Sequence, residues 1–351
     1  MIFMIRRPAS AVPPPNIHAV TLAALYPPAP LNPTLRTHAM PVSGGHVLHV
    51  EESGSADGIA ALVLHGGPGS GCSPLLRRFF DPARYRVICV DQRGSGASLP
   101  RGETAHNRTA DLLDDLRALR QQLGIDRWLV VGGSWGAALA IAHACDAPQA
   151  VSGLLLRAVF LARTEDIGWF FQGAREVLPE AWQRFAAVAP AARRGDLLTF
   201  LVDAFTRCDP HECAAVALAW WRWEQAMASP VSLGRCVPDP VPPAGEALAA
   251  LVDRYRVQSH YLRHGCWLSQ PSLLDRCARL PPVPTLLLHG LDDRVCRPGG
   301  ALAAHARMPH SRLHWVDGAG HDPTHPAMAA ATVAALDLFA VHGHFGVKVC
   351  E

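Results

Sequence analysis

The stretch Gly132-Gly133-Ser134-Trp135-Gly136 decides the fold prediction, because of what lies on either side of it. Trp128 to Val131, just before it, is a short apolar run typical of a buried strand, and Ala137 to Ala144, just after it, favours a helix. Glycines two residues before and two residues after a serine allow a sharp turn that presents the hydroxyl above a sheet. The bare pattern also arises by chance in glycine-rich chains, so its strand–turn–helix context carries the interpretation.

Short apolar runs and amphipathic stretches alternate on both sides of this turn. Further strands are predicted over residues 46–51, 60–64, 85–90, 153–156, 285–288 and 312–316. Leucines three or four residues apart predict a helix over residues 112–123. Such alternation predicts an α/β fold with a mostly parallel central sheet and helices on both faces.

The regular alternation stops near residue 158 and resumes near residue 280. The stretch between them contains aromatic-rich, helix-like segments, so residues 158–279 are predicted to form an inserted helical cap domain. Residues 36–157 and 280–345 then form the sheet-containing domain. Residues 1–35 are rich in Pro and Ala and lack periodicity, which predicts a largely flexible arm.

Composition excludes several classes of partner. The 351 residues are 49% hydrophobic with a formal charge of +2 and no Lys/Arg block, so we expect a large core and no nucleic-acid partner. No apolar run approaches the length of a membrane span, and we expect a soluble, cytoplasmic protein with no membrane partner. The ten cysteines form no CxxC pair, so we expect reduced thiols, no metal site and no cofactor. The sequence gives no indication of oligomeric state.

A serine needs a base and an orienting acid before it can act as a nucleophile. Asp292 and Asp293 follow the predicted strand 285–288, and His321 follows the predicted strand 312–316. A serine, an acid and a histidine thus occur in the order found in catalytic triads on α/β sheets, and each follows the carboxyl end of a strand. The pattern alone does not choose between the two aspartates.

Two amide groups are candidates for stabilising an oxyanion. One is the N–H of Trp135, directly after the serine. The other belongs to the loop His65-Gly66-Gly67-Pro68-Gly69, with Gly67 the best placed. The same loop would suit a phosphate, but it lacks the GxGxxG spacing and the GKS/GKT ending of nucleotide sites.

Several stretches together resemble the prolyl aminopeptidases (proline iminopeptidases), which have the α/β-hydrolase fold. The stretches are His65 to Gly71, Asp91 to Gly96, Gly132 to Gly136, Asn107 to Leu123, Leu156 to Phe160, Trp220 to Glu224 and His289 to Asp293. The resemblance runs from about Leu25 to Pro326. It implies a triad of Ser134, Asp293 and His321, and peptides with a free N-terminal proline as substrates.

The resemblance also implies a pocket for the substrate's cationic imino group. Glu224 matches a family glutamate that follows an aromatic-rich helix, whereas Gln258 stands where the family usually has a second glutamate. Phe160 and Phe170 match aromatic walls of the proline pocket, and Leu262 replaces a third aromatic residue. A neutral amide binds a cation less strongly than a carboxylate does, so Gln258 makes an altered specificity possible.

Three interpretations follow. The first is a serine aminopeptidase that releases N-terminal proline through an acyl-enzyme intermediate. The second is an esterase or amidase with the same machinery, for which Gln258 is the main argument. The third, a non-catalytic binding protein built on this fold, is disfavoured by Ser134, Asp293 and His321 occurring together.

Overall fold

The computed structural model describes residues 25–26, 34–207, 209–228 and 241–346. Eight strands form one sheet: β1 Thr34–Pro41, β2 Val47–Gly54, β3 Ile59–Leu64, β4 Tyr85–Val90, β5 Trp128–Gly133, β6 Val151–Arg157, β7 Thr285–Gly290 and β8 Ser311–Val316. The ten α-helices of the described residues are α1 Thr109–Gln122, α2 Trp135–Asp146, α3 Thr164–Phe171, α4 Pro179–Ala186, α5 Leu197–Arg207, α6 Pro210–Ala228, α7 Glu246–Arg263, α8 Leu273–Cys277, α9 Pro298–His305 and α10 Pro326–His342.

The strand order across the sheet is β1-β2-β4-β3-β5-β6-β7-β8. β2 is antiparallel to both β1 and β4, and the pairs from β4–β3 through to β7–β8 are parallel. The predicted α/β fold, with its mostly parallel sheet and covering helices, is therefore confirmed.

Apolar side chains cover both faces of the central strands. In β3, Leu62 and Leu64 pack on one face with α1 and α2, while Ala61 and Val63 pack on the other with α10. Successive strand residues point to opposite faces, so a strand buried on both sides is apolar at every position. This explains why the strands were readable from short continuous apolar runs.

Strand β1 was missed by the sequence prediction. It is an edge strand that pairs only with β2, and of its residues 36–41 Met40 alone is buried. An edge strand with one buried side chain gives no hydrophobic alternation, and Pro41 closes it at a position where an edge tolerates proline. Apart from Leu25, Tyr26 and the start of β1, the predicted arm over residues 1–35 lies outside the described residues.

The chain leaves the sheet after β6 and re-enters it at β7, and these two strands are hydrogen-bonded neighbours. In the residues described between them, every regular element is helical, from α3 to α8. We call residues 158–284 the inserted segment. Residues of its helices α3, α6 and α7 line one cavity together with residues from the loops that follow β5 and β8.

Candidate active site

Ser134 occupies a strained turn between β5 and α2. Its backbone angles are φ 58° and ψ −122°, which side-chain-bearing residues seldom adopt and which cluster at functional sites. The flanking glycines make the turn possible: a Cβ on Gly132 would lie 2.2 Å from the Gly136 carbonyl oxygen, and one on Gly136 would lie 2.1 Å from that of Leu64. The backbone conformation that exposes this hydroxyl is unfavourable in itself, and the packing around the turn holds it in place.

His321 and Asp293 form a hydrogen-bonded pair beside this turn. The His321 Nδ1 to Asp293 Oδ2 distance is 2.9 Å, and Asp293 Oδ1 accepts the amides of Val295 and Cys296 at 2.9 Å each. Burial raises the pKa of Asp293, but attraction to His321 and the hydrogen bonds outweigh it, so the pKa lies below its usual range. Asp293 is thus held ionised and fixes the imidazole so that Nε2 is free for chemistry.

Ser134 and His321 line the same cavity without a mutual hydrogen bond. Within the described residues the Ser134 hydroxyl has one partner, Cys296 Sγ at 3.9 Å. Burial raises the pKa of the Cys296 thiol, so it is a neutral neighbour rather than a thiolate. A serine side chain can change between staggered rotamers about its Cα–Cβ bond, and nucleophile–base contacts often tighten only in the substrate complex.

The amides of Gly67 and Trp135 are available as donors. Among the described residues neither amide hydrogen bonds to a protein acceptor, because Trp135 begins α2 and Gly67 lies in a tight loop. Gly67 has φ +109°, and a Cβ there would lie 2.8 Å from the Gly69 amide nitrogen. Only glycine suits this position.

Gln92 connects the two donor segments. Its side-chain amide donates to the His65 carbonyl at 3.1 Å and accepts from the Trp135 indole N–H at 2.8 Å. Its backbone amide donates to His65 Nε2 at 3.0 Å. The glycine-rich loop and the first turn of α2 are therefore held in one arrangement by a buried side chain that the sequence reasoning did not single out.

Helices α6 and α7 build the opposite wall around Glu224. Trp220 and Tyr255 stack with ring centroids 4.6 Å apart. Glu224 lies one turn after Trp220, and Gln258 lies one turn after Tyr255, so the stacked rings bring the two polar side chains together. Glu224 Oε1 accepts from Gln258 Nε2 at 3.1 Å.

Glu224 has two more donors, neither of which the sequence predicted. Its Oε2 accepts from Arg254 at 2.7 Å and from the Tyr255 hydroxyl at 2.9 Å. Because a carboxylate only accepts, the Gln258 amide must turn its NH₂ toward Glu224, and its buried Oε1 then has no partner among the residues described. The pairing of Arg254 with Glu224 depends on how α6 packs on α7, which no local pattern shows.

Phe160 and Phe170, which the resemblance implied as aromatic walls, both line the cavity, as does Leu262. Phe170 is also a core residue, with its ring in edge contact with Phe171 and Trp223. Phe170 therefore both lines the cavity and packs in the hydrophobic core.

One cavity of about 280 Å³ brings most of the predicted site together. Its lining includes Gly67, Ser134, Phe160, Phe170, Glu224, Gln258 and His321, with Asp293 behind His321. A nucleophile with a base, the Gly67 segment and a carboxylate therefore face one space, an arrangement suited to acyl transfer. Trp135 is not among the lining residues, and its amide directly follows Ser134 in the chain. In the part of the chain that the structure describes, no cluster of metal-binding side chains occurs and no helix is long and apolar enough to cross a membrane.

Comparisons with known proteins agree with this architecture. The family model for the alpha/beta hydrolase fold matches residues 61–325. The chain is 37% identical over 304 residues to a proline iminopeptidase of Xanthomonas citri, which covers 86% of this chain and 96% of that protein. It is 37% identical over 313 residues to a proline iminopeptidase of Arabidopsis thaliana, covering 88% and 80% respectively.

A solved structure shares the fold at lower identity. The crystal structure of a Mycobacterium smegmatis proline iminopeptidase superposes with a TM-score of 0.54 and 20% identity, covering 88% of this chain and 98% of the other. The strained serine turn, the acid–histidine pair and these sequence relationships lead to one conclusion. The chain belongs to the proline iminopeptidase family of α/β-hydrolases.

Proposed function

We propose that this protein is a serine aminopeptidase that releases N-terminal proline from peptides. The observation that carries the proposal is the position of Glu224 and Gln258 in the lining of the cavity that holds Ser134 and His321. A free imino group needs hydrogen-bond acceptors and a negative charge close to the nucleophile. At about 280 Å³ the cavity is at the lower end of ligand pockets, which suits one small residue.

The proposed chemistry follows the geometry. The Ser134 hydroxyl attacks the prolyl carbonyl carbon while His321 Nε2 accepts the proton, and Asp293 stabilises the imidazolium through Nδ1. The amides of Gly67 and Trp135 bind the oxyanion, each worth about 3–4 kcal/mol of transition-state stabilisation. His321 then gives its proton to the leaving amine, and water hydrolyses the prolyl-serine ester by the same steps in reverse.

An esterase or amidase is the second candidate. The Arg254 guanidinium already neutralises the Glu224 carboxylate, which favours uncharged acyl groups over cationic ones. This contact and the resemblance therefore point to different substrates for the same catalytic machinery.

Four chromogenic substrates separate these candidates: prolyl-p-nitroanilide, alanyl-p-nitroanilide, N-acetylprolyl-p-nitroanilide and p-nitrophenyl acetate. We expect the prolyl substrate to be preferred over the alanyl one, acetylation to abolish cleavage, and Ser134→Ala to abolish all activity. Glu224→Gln should lower kcat/KM for the prolyl substrate by about tenfold or more and leave the ester unaffected, because only the former carries a cation. Good cleavage of the ester with poor cleavage of both free-amine substrates would identify an esterase instead.

A further inference from the structure

The Glu224 carboxylate is nearly saturated with donors. A carboxylate offers about four lone-pair positions, and Arg254, Tyr255 and Gln258 occupy three of them. Tyr255 and Gln258 are neutral, so Arg254 is the group that cancels the charge. Its guanidinium lies where a cation bound to Glu224 would lie, and Arg254 lines the cavity.

We propose that Arg254 is a specificity-determining residue, an internal cation that competes with the substrate's amino or imino group for Glu224. The inference rests on the proposed function, because it concerns the same amine-binding end of the cavity. Its consequence is a substrate range shifted from free N-termini toward neutral acyl groups such as simple esters. Arg254 reaches no reacting atom, and it acts through Glu224.

Among the residues that the structure describes, the other charges around the cavity do not provide an alternative anchor for a cation. The acids in that described lining are Asp166 and Glu224, and Asp166 is held bidentate by Arg163 at 2.9 and 2.7 Å. The lining bases are Arg157 and Arg254, together with His321. Glu224 is thus the carboxylate on which amine binding depends, and Arg254 is the cation that touches it.

Arg254 is not needed to hold Glu224 in place. The Trp220–Tyr255 stack and the donors Tyr255 and Gln258 remain without it. Burial lowers the pKa of Arg254, and attraction to Glu224 more than reverses this, so the guanidinium stays charged. Removing it leaves a part-buried carboxylate without its counter-ion, and a substrate cation would then be the partner.

The test compares Arg254→Met with Arg256→Met. Arg256 is on the same helix and is equally exposed, with 29% of its side chain accessible against 28% for Arg254, but it pairs with Asp253 and does not line the cavity. For Arg254→Met we expect the ratio of kcat/KM for prolyl-p-nitroanilide to that for p-nitrophenyl acetate to rise about tenfold, which corresponds to about 1.4 kcal/mol. Arg256→Met should leave this ratio unchanged. Arg254→Gln, which keeps a neutral donor, should raise it in the same direction if the methionine variant folds poorly.

A second readout separates this inference from the proposed function. Pyrrolidine, a cyclic amine that is cationic at neutral pH, should inhibit p-nitrophenyl acetate hydrolysis competitively, with a Ki about tenfold lower in Arg254→Met than in the wild type. Adding Glu224→Gln should cancel that gain. If prolyl substrates are never cleaved but pyrrolidine binding improves in this way, the aminopeptidase proposal fails and the role of Arg254 stands. An unchanged substrate ratio with an unchanged pyrrolidine Ki overturns the role of Arg254, even in an active aminopeptidase.

Discussion

Two adjacent aspartates, Asp292 and Asp293, differ in every structural respect. Asp293 is 3% exposed and holds His321, whereas the Asp292 side chain is exposed and makes no hydrogen bond among the described residues. The sequence pattern predicts an acid at this loop but not which of the two turns inward. The family resemblance implied Asp293, and in the structure it is Asp293 that contacts His321.

This difference gives a paired test. Asp293→Asn keeps the side-chain shape but favours the wrong imidazole tautomer, so we expect kcat on either p-nitroanilide or ester substrates to fall about 10³–10⁴-fold. Asp292→Asn should leave kcat within a factor of two of the wild type. Comparable losses in the two variants would show that Asp293 does not orient the base.

At the scale of single residues, the candidate site divides into a predictable and an unpredictable part. Ser134, His321 and Gly67 stand in local patterns whose spacing reflects backbone requirements, so the sequence points to them. Arg254 and Gln92 act through contacts between elements distant in the chain. Arg254 is 30 positions after Glu224, and Trp135 is 43 positions after Gln92. Such contacts become visible only once the elements are packed.

At the scale of elements, the hydrogen bonds of Gln92 predict that replacing it lowers both stability and reaction rate. Gln92→Leu would leave the Trp135 indole N–H and the His65 carbonyl buried without partners, and we expect the free energy of unfolding to fall by about 1–3 kcal/mol per group. The Gly67 amide would also lose its fixed position, and a displacement of about 1 Å can cost about 10²-fold in rate.

Urea denaturation and the kcat for p-nitrophenyl acetate measure the two effects. Gln122→Leu is the control, because Gln122 is exposed at the end of α1 and its replacement should change stability by less than about 0.5 kcal/mol. A stable but slow Gln92→Leu enzyme would mean that the residue positions the loop without contributing to the fold. Normal rates and normal stability would contradict the connection altogether.

The sequence predicts an element well when its burial leaves a regular pattern. A strand buried on both faces is a continuous apolar run, and a helix buried on one face has apolar residues three or four positions apart. Strands β3 to β8 and helix α1 follow such patterns, and the predicted bounds differ from the observed ones by only a few residues. The N-cap of α1 does not follow such a pattern: Arg108 occupies it, and the Asp111 carboxylate accepts the Arg108 backbone amide at 2.9 Å. Asn107 is buried, and its Oδ1 accepts from the Tyr261 hydroxyl of α7 at 2.8 Å.

At the scale of the whole molecule, His143 makes stability depend on pH. It is fully buried in α2, where its Nε2 accepts from the Trp128 indole N–H at 3.1 Å. Burial, with smaller effects of Arg120 and Arg117, lowers its pKa to about 4. An unfolded chain has a histidine pKa of about 6.5, so between these values only the unfolded state binds the proton, and acid favours unfolding.

We therefore expect His143 to remove about 2 kcal/mol of unfolding free energy when the pH falls from about 7 to about 4.5. His143→Gln retains an acceptor for Trp128 and does not titrate. Urea denaturation at both pH values should show a pH dependence that is smaller in the variant by about that amount. Parallel losses in variant and wild type would mean that His143 is protonated within the native protein.

The hydrogen-bonded pairing of β6 with β7 has a consequence for how such a protein evolves. The Ala158 amide also donates to the Leu288 carbonyl at 3.0 Å, so β6 and β7 are joined directly, without help from the chain between them. Glu224, Arg254 and Gln258 all come from that intervening stretch, whereas Ser134, Asp293 and His321 come from loops at the ends of sheet strands. The stretch between β6 and β7 can therefore accumulate substitutions, insertions or deletions while selection preserves the loops that carry Ser134, Asp293 and His321. New substrate preferences become accessible by gradual steps that leave bond cleavage intact.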